Sequence, residues 1–166
     1  MESLHAPWRI EYILAQKPVA TDSLFTKIAQ SGDDEDNYVI ARRRTCFAIL
    51  NRYPYTGGHL MVVPYKQVQD FSGLLDEELA DLLKLTRSCQ NALTRVMNAH
   101  GFNIGINIGK VAGAGIHEHL HIHVVPRWEG DTNFMPVLAD TNVVPQALAE
   151  LAGRLRKALS DEPTSN

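Results

Sequence analysis

The sequence predicts an α+β domain built on an antiparallel sheet, and three observations carry that expectation. Five short segments have strand patterning, with apolar residues on alternate positions or a wealth of β-branched and aromatic residues. Strand follows strand through short turns in the first part of the chain. One long segment with helical spacing then separates the third strand from the fourth. Strands grouped in this way, rather than alternating strictly with helices, are the order of an α+β domain.

Taken in order, residues 21–29 form a short helix, and residues 31–37 an acidic, turn-rich exposed loop. Residues 38–41 and 45–50 are the first two strands. Arg42, Arg43 and Arg44 lie between them as a solvated hairpin tip. Residues 51–58 carry the Pro and Gly residues that a turn requires, and residues 59–65 form the third strand, ended by Pro64. The long helix covers 76–100, with Leu79, Leu82, Leu83, Leu93, Val96 and Met97 mostly on one face. Asp76, Glu77 and Glu78 sit at the positive end of its dipole, and Gly101 is the expected C-terminal cap. Residues 102–108 alternate Phe102, Ile104, Ile106 and Ile108 with small or polar residues, as a half-buried strand does. A glycine-rich loop, 109–115, leads to the fifth strand, 119–127. A last helix covers 145–159, with Pro145 well placed at its start, and a frayed tail follows.

Length and composition bound the function. The 166 residues suit one domain. Its parts are an N-terminal extension and acidic loop (1–37), a core (38–140), a C-terminal helix (141–160) and a tail (161–166). The 45% hydrophobic and 21% charged fractions are those of an ordinary globular protein. A formal net charge of -3 lacks the basic excess by which proteins grip long nucleic acids; a small anionic ligand needs only local positive groups. Cys46 and Cys89 stand far apart, with no CxxC pair, and read as buried thiols of a reducing compartment. Residues 1–10 hold no apolar run of signal-peptide length, and no run approaches the ~20 residues of a membrane span. The expected location is the cytoplasm, with no membrane partner.

Four of the seven histidines fall within residues 117–123. From position 119 onward histidine alternates with an aliphatic residue. Side chains on a strand alternate faces, so His119, His121 and His123 share one face and Leu120, Ile122 and Val124 the other. The aliphatic face suits the core, against the long helix; imidazole is poor core material, which leaves the other face for chemistry. Two readings compete. Neutral imidazole ligates zinc, but alternate side chains on a strand stand about 6.6 Å apart, so three converge poorly on one ion. The second reading is covalent phosphoryl or nucleotidyl transfer, in which an imidazole nitrogen attacks phosphorus. The central histidine then needs its other nitrogen held by an acceptor, while flanking histidines stabilise the developing charge. Backbone N–H groups of the glycine-rich loop would suit the phosphate.

The run His119-Leu-His121-Ile-His123-Val-Val125 resembles the signature of the histidine triad (HIT) superfamily. Asn51 with Tyr53-Pro-Tyr55, followed by Gly58-His59 through Pro64, resembles its nucleotide-side strand pair, and residues 102–107 resemble its fourth strand. Pro126-Arg-Trp128, residues 130–136 and Ala6-Pro-Trp8-Arg9 through Tyr12 resemble the branch that acts on dinucleoside polyphosphates. The resemblance spans roughly residues 6–145. It implies a five-stranded antiparallel sheet, a two-fold homodimer, and attack on the α-phosphate of a nucleotide through a nucleotidyl-histidine intermediate. His121 matches the nucleophile, His119 and His123 its flanking partners, and His59 a further histidine that supports them. Asn51 matches a residue near the ribose and Asn107 an amide beside the phosphate. Gly113, Ala114, Gly115 and Ile116 match the segment that contacts the α-phosphate.

The sequence also departs from the family pattern. The interval from Asn107 to His119 is one residue longer than in the shorter members, Arg43-Arg44 stands where a glycine is expected, and His5 where a tryptophan is common. His117 is an extra histidine, read as incidental, and Trp128 is expected to pack rather than stack on a base. The implied activity is cleavage of a substrate such as diadenosine tetraphosphate by a hydrolase or a phosphorylase. No cofactor is required, although Mg could accompany the polyphosphate. The alternatives are a nucleoside phosphoramidase and a non-catalytic nucleotide-binding protein of the same fold.

Overall fold

The computed structural model describes residues 22–131 and 147–162. Its elements are α1 (Leu24–Ser31), β1 (Val39–Arg42), β2 (Cys46–Leu50), β3 (Leu60–Pro64), α2 (Asp76–Met97), β4 (Gly101–Ile106), β5 (Ile122–Arg127) and α3 (Leu148–Ser160). Short 3₁₀ turns lie at Phe71–Gly73 and Lys110–Ala112. The five strands form one antiparallel sheet in the order β1-β2-β3-β5-β4. β5, which carries the end of the histidine run, therefore sits inside the sheet, beside β3.

Each face of the sheet has its own apolar cover. On one face Ala48, Leu50, Leu60 and Val62 meet Leu120, Ile122 and Val124, and all pack under Leu82, Leu85 and Leu93 of α2 and Leu151 and Leu155 of α3. On the other, Phe47, Ile49, Met61 and Val63 pack with Val39, Ile116 and Phe25 of α1. Every residue of β2 and β3 is buried as a result, and each fully buried leucine or valine contributes roughly 1.5–3 kcal/mol by leaving water. The aliphatic half of the histidine run does face the long helix, as the alternation predicts.

Several element boundaries differ from the sequence expectation. α2 stops at Met97, and Asn98, not Gly101, takes the left-handed capping conformation at φ 52°; asparagine tolerates that region because its short side chain bonds locally. Gly101 opens β4. At the other end of α2, the Glu78 carboxylate accepts the Leu75 N–H at 2.8 Å, which gives the acidic first turn a capping role. β4 is an edge strand: Phe102 and Ile106 are half-buried against the core, while Ile104 between them is 46% exposed. β5 begins at Ile122 rather than His119. The preceding residues leave the ladder because Leu120 gives its N–H to the Val68 carbonyl.

The three arginines between β1 and β2 are not a free tip. Arg42 forks onto Asp34 at 2.7 Å, Arg44 meets Glu77 at 3.0 Å and Arg43 lies 3.6 Å from Asp81. α1 runs two residues past its expected end and closes on Gly32, φ 72°. α3 begins at Leu148; Pro145 and the matches at residues 6–12 and 132–136 lie outside the described residues. Glu162 accepts a hydrogen bond from Asn91 at 3.2 Å, so the tail is tied down that far. Both cysteines are free and buried, and burial pushes the Cys46 thiol up to about 12. Among the described residues no helix is long and apolar enough to cross a membrane.

Candidate active site

Two chains of hydrogen bonds converge on the histidine run, and the chemistry of their donors fixes where each proton sits. The first ends on His121. Its Nδ1 lies 2.8 Å from the His119 carbonyl oxygen. A carbonyl only accepts, so Nδ1 carries the proton and Nε2 keeps its lone pair. His119 is itself clamped. Its Nε2 donates to the Pro64 carbonyl at 2.8 Å, and its Nδ1 accepts from the Ser23 hydroxyl at 2.5 Å. Both rings are buried, at 1% and 4% exposure. Burial lowers both pKa values below the ordinary 6.5 of histidine, opposed by the two carbonyl contacts. His119 and His121 are thus neutral at pH 7. Phe25 supports both rings, edge-on to His119 at 5.5 Å and tilted against His121 at 5.2 Å.

The second chain ends on His123. The Tyr53 N–H donates to Asn51 Oδ1 at 2.9 Å, which turns the amide nitrogen of Asn51 toward His59. That nitrogen lies 3.2 Å from His59 Nδ1, and the Tyr55 N–H donates to the same atom at 3.2 Å. Two pure donors make His59 Nδ1 an acceptor, so its proton is on Nε2. His59 Nε2 in turn lies 3.0 Å from His123 Nδ1. His123 therefore accepts at Nδ1 and carries its own proton on Nε2. Tyr55 stacks on His59 at 4.8 Å and 11° and supports that ring from its face. Gly58 sets the entry into β3: it has φ 83°, and a Cβ there would lie 2.6 Å from Met97 Sδ.

The two chains meet at a cavity of about 350 Å³. Leu24, Phe25, Ile28, Ile49, Met61 and Ile116 form apolar walls, and Asn37, Asn51, Arg52 and Tyr53 add polar edges. His121 and His123 line the same space, their rings 4.8 Å apart at 76°. The volume is that of a small-molecule site. A flat apolar group between the walls would hold an attached anion against a bare imidazole nitrogen on one side and an N–H on the other.

The HIT domain model matches residues 33–130, which include His59, the loop and the whole histidine run. The chain belongs to the HIT domain family. Among its relatives, the AP-4-A phosphorylase of Mycobacterium tuberculosis is 40% identical over 171 residues, covering 98% of this chain and 87% of that protein. The asymmetrical bis(5'-nucleosyl)-tetraphosphatase of Schizosaccharomyces pombe is 34% identical over 93 residues, 56% of this chain and 50% of that one. A crystal structure of a Zn-bound histidine triad family protein from Mycobacterium smegmatis superposes with a TM-score of 0.69 at 31% identity, over 84% of this chain and 94% of that one.

Within this HIT fold the site residues expected from the sequence part into two groups. His121, His123, Asn51, Gly115 and Ile116 line the cavity. Gly113 and Ala114 are not in that lining; Gly113 closes the 3₁₀ turn at Lys110–Ala112 with φ 86°. His119 lies behind His121 with both ring nitrogens engaged, so it cannot also reach a phosphate. The amide of Asn51 accepts from the Tyr53 N–H and gives one N–H to His59. Asn107 follows directly on β4, one residue past its last pair with β5, Ile106–Ile122, and is not among the residues that line the cavity. His117 stands at 3.4 Å from Glu118, outside the cavity lining. Trp128 packs on its own chain, donating from Nε1 to the Met97 carbonyl at the end of α2. Among the described residues no group of three or more His, Cys, Asp or Glu side chains is placed to hold a metal.

Sequence reasoning missed Ser23 and Phe25, and named Tyr55 only as part of the family match. Ser23 before an apolar helical run is a legible N-cap. Its partner, however, lies 96 residues further along the chain, a distance that no local pattern spans.

Proposed function

We propose that this HIT protein is an enzyme that cleaves dinucleoside polyphosphates of the diadenosine tetraphosphate type, with inorganic phosphate as its preferred acceptor. The observation that carries the reading is the opposite proton polarity of His121 and His123 on one nucleotide-sized cavity. The base enters between Phe25, Ile28 and Ile49, and the α-phosphate meets the two imidazoles. The Nε2 lone pair of His121 attacks the α-phosphorus. The phosphorus–oxygen bond to the remaining polyphosphate breaks, and the nucleotide is left on His121. The Nε2–H of His123 donates to a phosphoryl oxygen as negative charge builds there. Asn107, just past the end of β4, is the further amide that the family resemblance assigns to the phosphate. The acceptor then attacks the same phosphorus and releases His121 Nε2 with its lone pair restored.

The choice of phosphate over water follows the similarity to the M. tuberculosis AP-4-A phosphorylase, which extends over 98% of this chain. Divalent metal such as Mg enters with the polyphosphate, as a substrate counter-ion. The protein acts as a cytoplasmic homodimer, its exposed β4 edge with Ile104 and Ile108 forming part of the two-fold contact; a monomeric mass by light scattering at micromolar protein would exclude this.

The test is chromatography of products after incubation with diadenosine tetraphosphate. ADP and ATP formed only with added phosphate support the phosphorylase. AMP and ATP without phosphate would make it a hydrolase. No cleavage under either condition would overturn the proposal and leave the phosphoramidase or a nucleotide-binding protein.

A further inference from the structure

We infer that Ser23 is a positioning residue of this site: it fixes the hydrogen-bond state of His119 and, through it, the aim of His121. Ser23 is 2% exposed and caps α1, its hydroxyl oxygen accepting the Thr26 N–H at 3.1 Å. The same oxygen lies 3.1 Å from Thr26 Oγ1 and 2.5 Å from His119 Nδ1. Thr26 Oγ1 donates its proton to Gln67 Oε1 at 2.9 Å, and the Ser23 N–H donates to that oxygen too. His119 Nε2 holds its proton against the Pro64 carbonyl, so Nδ1 is the bare nitrogen, and at 2.5 Å it is the acceptor for the serine proton. With Nε2 held by the Pro64 carbonyl, the His119 ring is pinned at both nitrogens in one tautomer. The carbonyl of this pinned residue receives the His121 Nδ1–H. Ser23 also starts the helix whose Leu24, Phe25 and Ile28 wall the cavity. A single side chain thus joins the seating of the base pocket to the orientation of the nucleophile.

Helix capping alone would be a simpler role, and three substitutions separate the two. Ser23→Ala removes the cap and the donor. Ser23→Asp keeps a capping acceptor but has no proton for His119. Ser23→Thr keeps both. A pure cap predicts lower melting in Ser23→Ala and unchanged kinetics in Ser23→Asp. Positioning predicts that Ser23→Ala and Ser23→Asp both lose about 10- to 100-fold in kcat with KM little changed, the cost of a misaimed reacting group, and that Ser23→Thr restores it. Wild-type kcat in Ser23→Asp would reduce Ser23 to a helix cap.

The kinetic readout rests on the proposed activity, so a second readout does not. Ring 15N NMR resonances report the tautomer and hydrogen bonding of each histidine without turnover. Ser23→Ala is expected to shift His119 Nδ1 toward a free acceptor and to move the His121 resonances with it. If the wild type cleaves no dinucleoside polyphosphate but these shifts occur, the functional reading fails and the positioning role stands. An unmoved His121 in Ser23→Ala would overturn the positioning role whatever the substrate.

Discussion

The two hydrogen-bond chains of the site are built from the same residue type and end in opposite states. The His119–His121 arm lies buried under α1, and its anchors are two carbonyl oxygens and a serine. It delivers a lone pair. The His59–His123 arm is anchored by two backbone N–H groups and an amide, and it delivers a proton. Imidazole is symmetric enough to be donor or acceptor at either nitrogen, so the ring itself decides nothing. The remote end of each chain decides. A nucleophile needs the first state and an oxyanion partner the second, and the fold provides both within 4.8 Å.

Removing the end of each arm should break this comparison most visibly. His121→Ala is expected to lower kcat by about 10⁴-fold or more, as loss of a covalent nucleophile does, with an unchanged fold by circular dichroism. Turnover near the wild-type rate would remove the covalent mechanism. His123→Ala removes one charge-stabilising donor and should cost about 10²- to 10³-fold with little effect on melting. His119→Ala should behave differently from both. It strips partners from the buried Pro64 carbonyl and Ser23 hydroxyl and leaves a cavity beside Phe25, a loss of about 2–5 kcal/mol in stability besides activity. Equal loss of activity and stability at all three positions would mean that the arms are not distinct.

Much of this was legible beforehand, and the remainder was not for physical reasons. Strand alternation placed Leu120, Ile122 and Val124 on the core face and the histidines on the other, because the period of two survives even where the ladder does not. The apolar spacing of α2 located its core face except for Leu83, which is 65% exposed, but not its last turn: Asn98 and Gly101 are both competent to cap, and the start of β4 decided between them. The arginine run looked solvated because its acidic partners come from α2 and from the loop before β1. Above all, the sequence named the histidines without their protonation states. Those depend on Pro64, Ser23, Tyr53 and Tyr55, contacts made by tertiary structure that no spacing encodes.

Reversing the anchor of one arm tests whether polarity, rather than mere presence, matters. Asn51→Asp replaces a donor to His59 Nδ1 by an acceptor. The favoured state of His59 then carries its proton on Nδ1, its Nε2 accepts, and His123 is driven to present a lone pair to the phosphate. The Tyr55 N–H opposes this, so the site is left frustrated as well as reversed. Asn51→Asp is expected to lose about ten times more kcat than Asn51→Ala, which removes one hydrogen bond of about 1 kcal/mol and leaves the Tyr55 donor in command. Equal losses would show that Asn51 serves the ligand directly.

The smallest effect expected is on pH, and it also separates the arms. His119 and His121 both have pKa values lowered by burial. The unfolded chain binds protons at these positions near 6.5, before the folded chain does. The stability linked to them is therefore fully present above about pH 6.5 and is lost as pH falls through the lowered folded values. Melting temperature should stay level from pH 8 to 7 and decline below 6.5, and the decline should flatten when His119 is replaced by the non-titrating His119→Gln. Activity shares the acid limb, because protonation of His121 at Nε2 consumes the attacking lone pair, and its midpoint should fall below the ordinary histidine value. A midpoint above 6.5 would mean that the nucleophile is held charged in the resting site, and then the carbonyl of His119, as acceptor for the proton on Nδ1, would outweigh burial in setting its state.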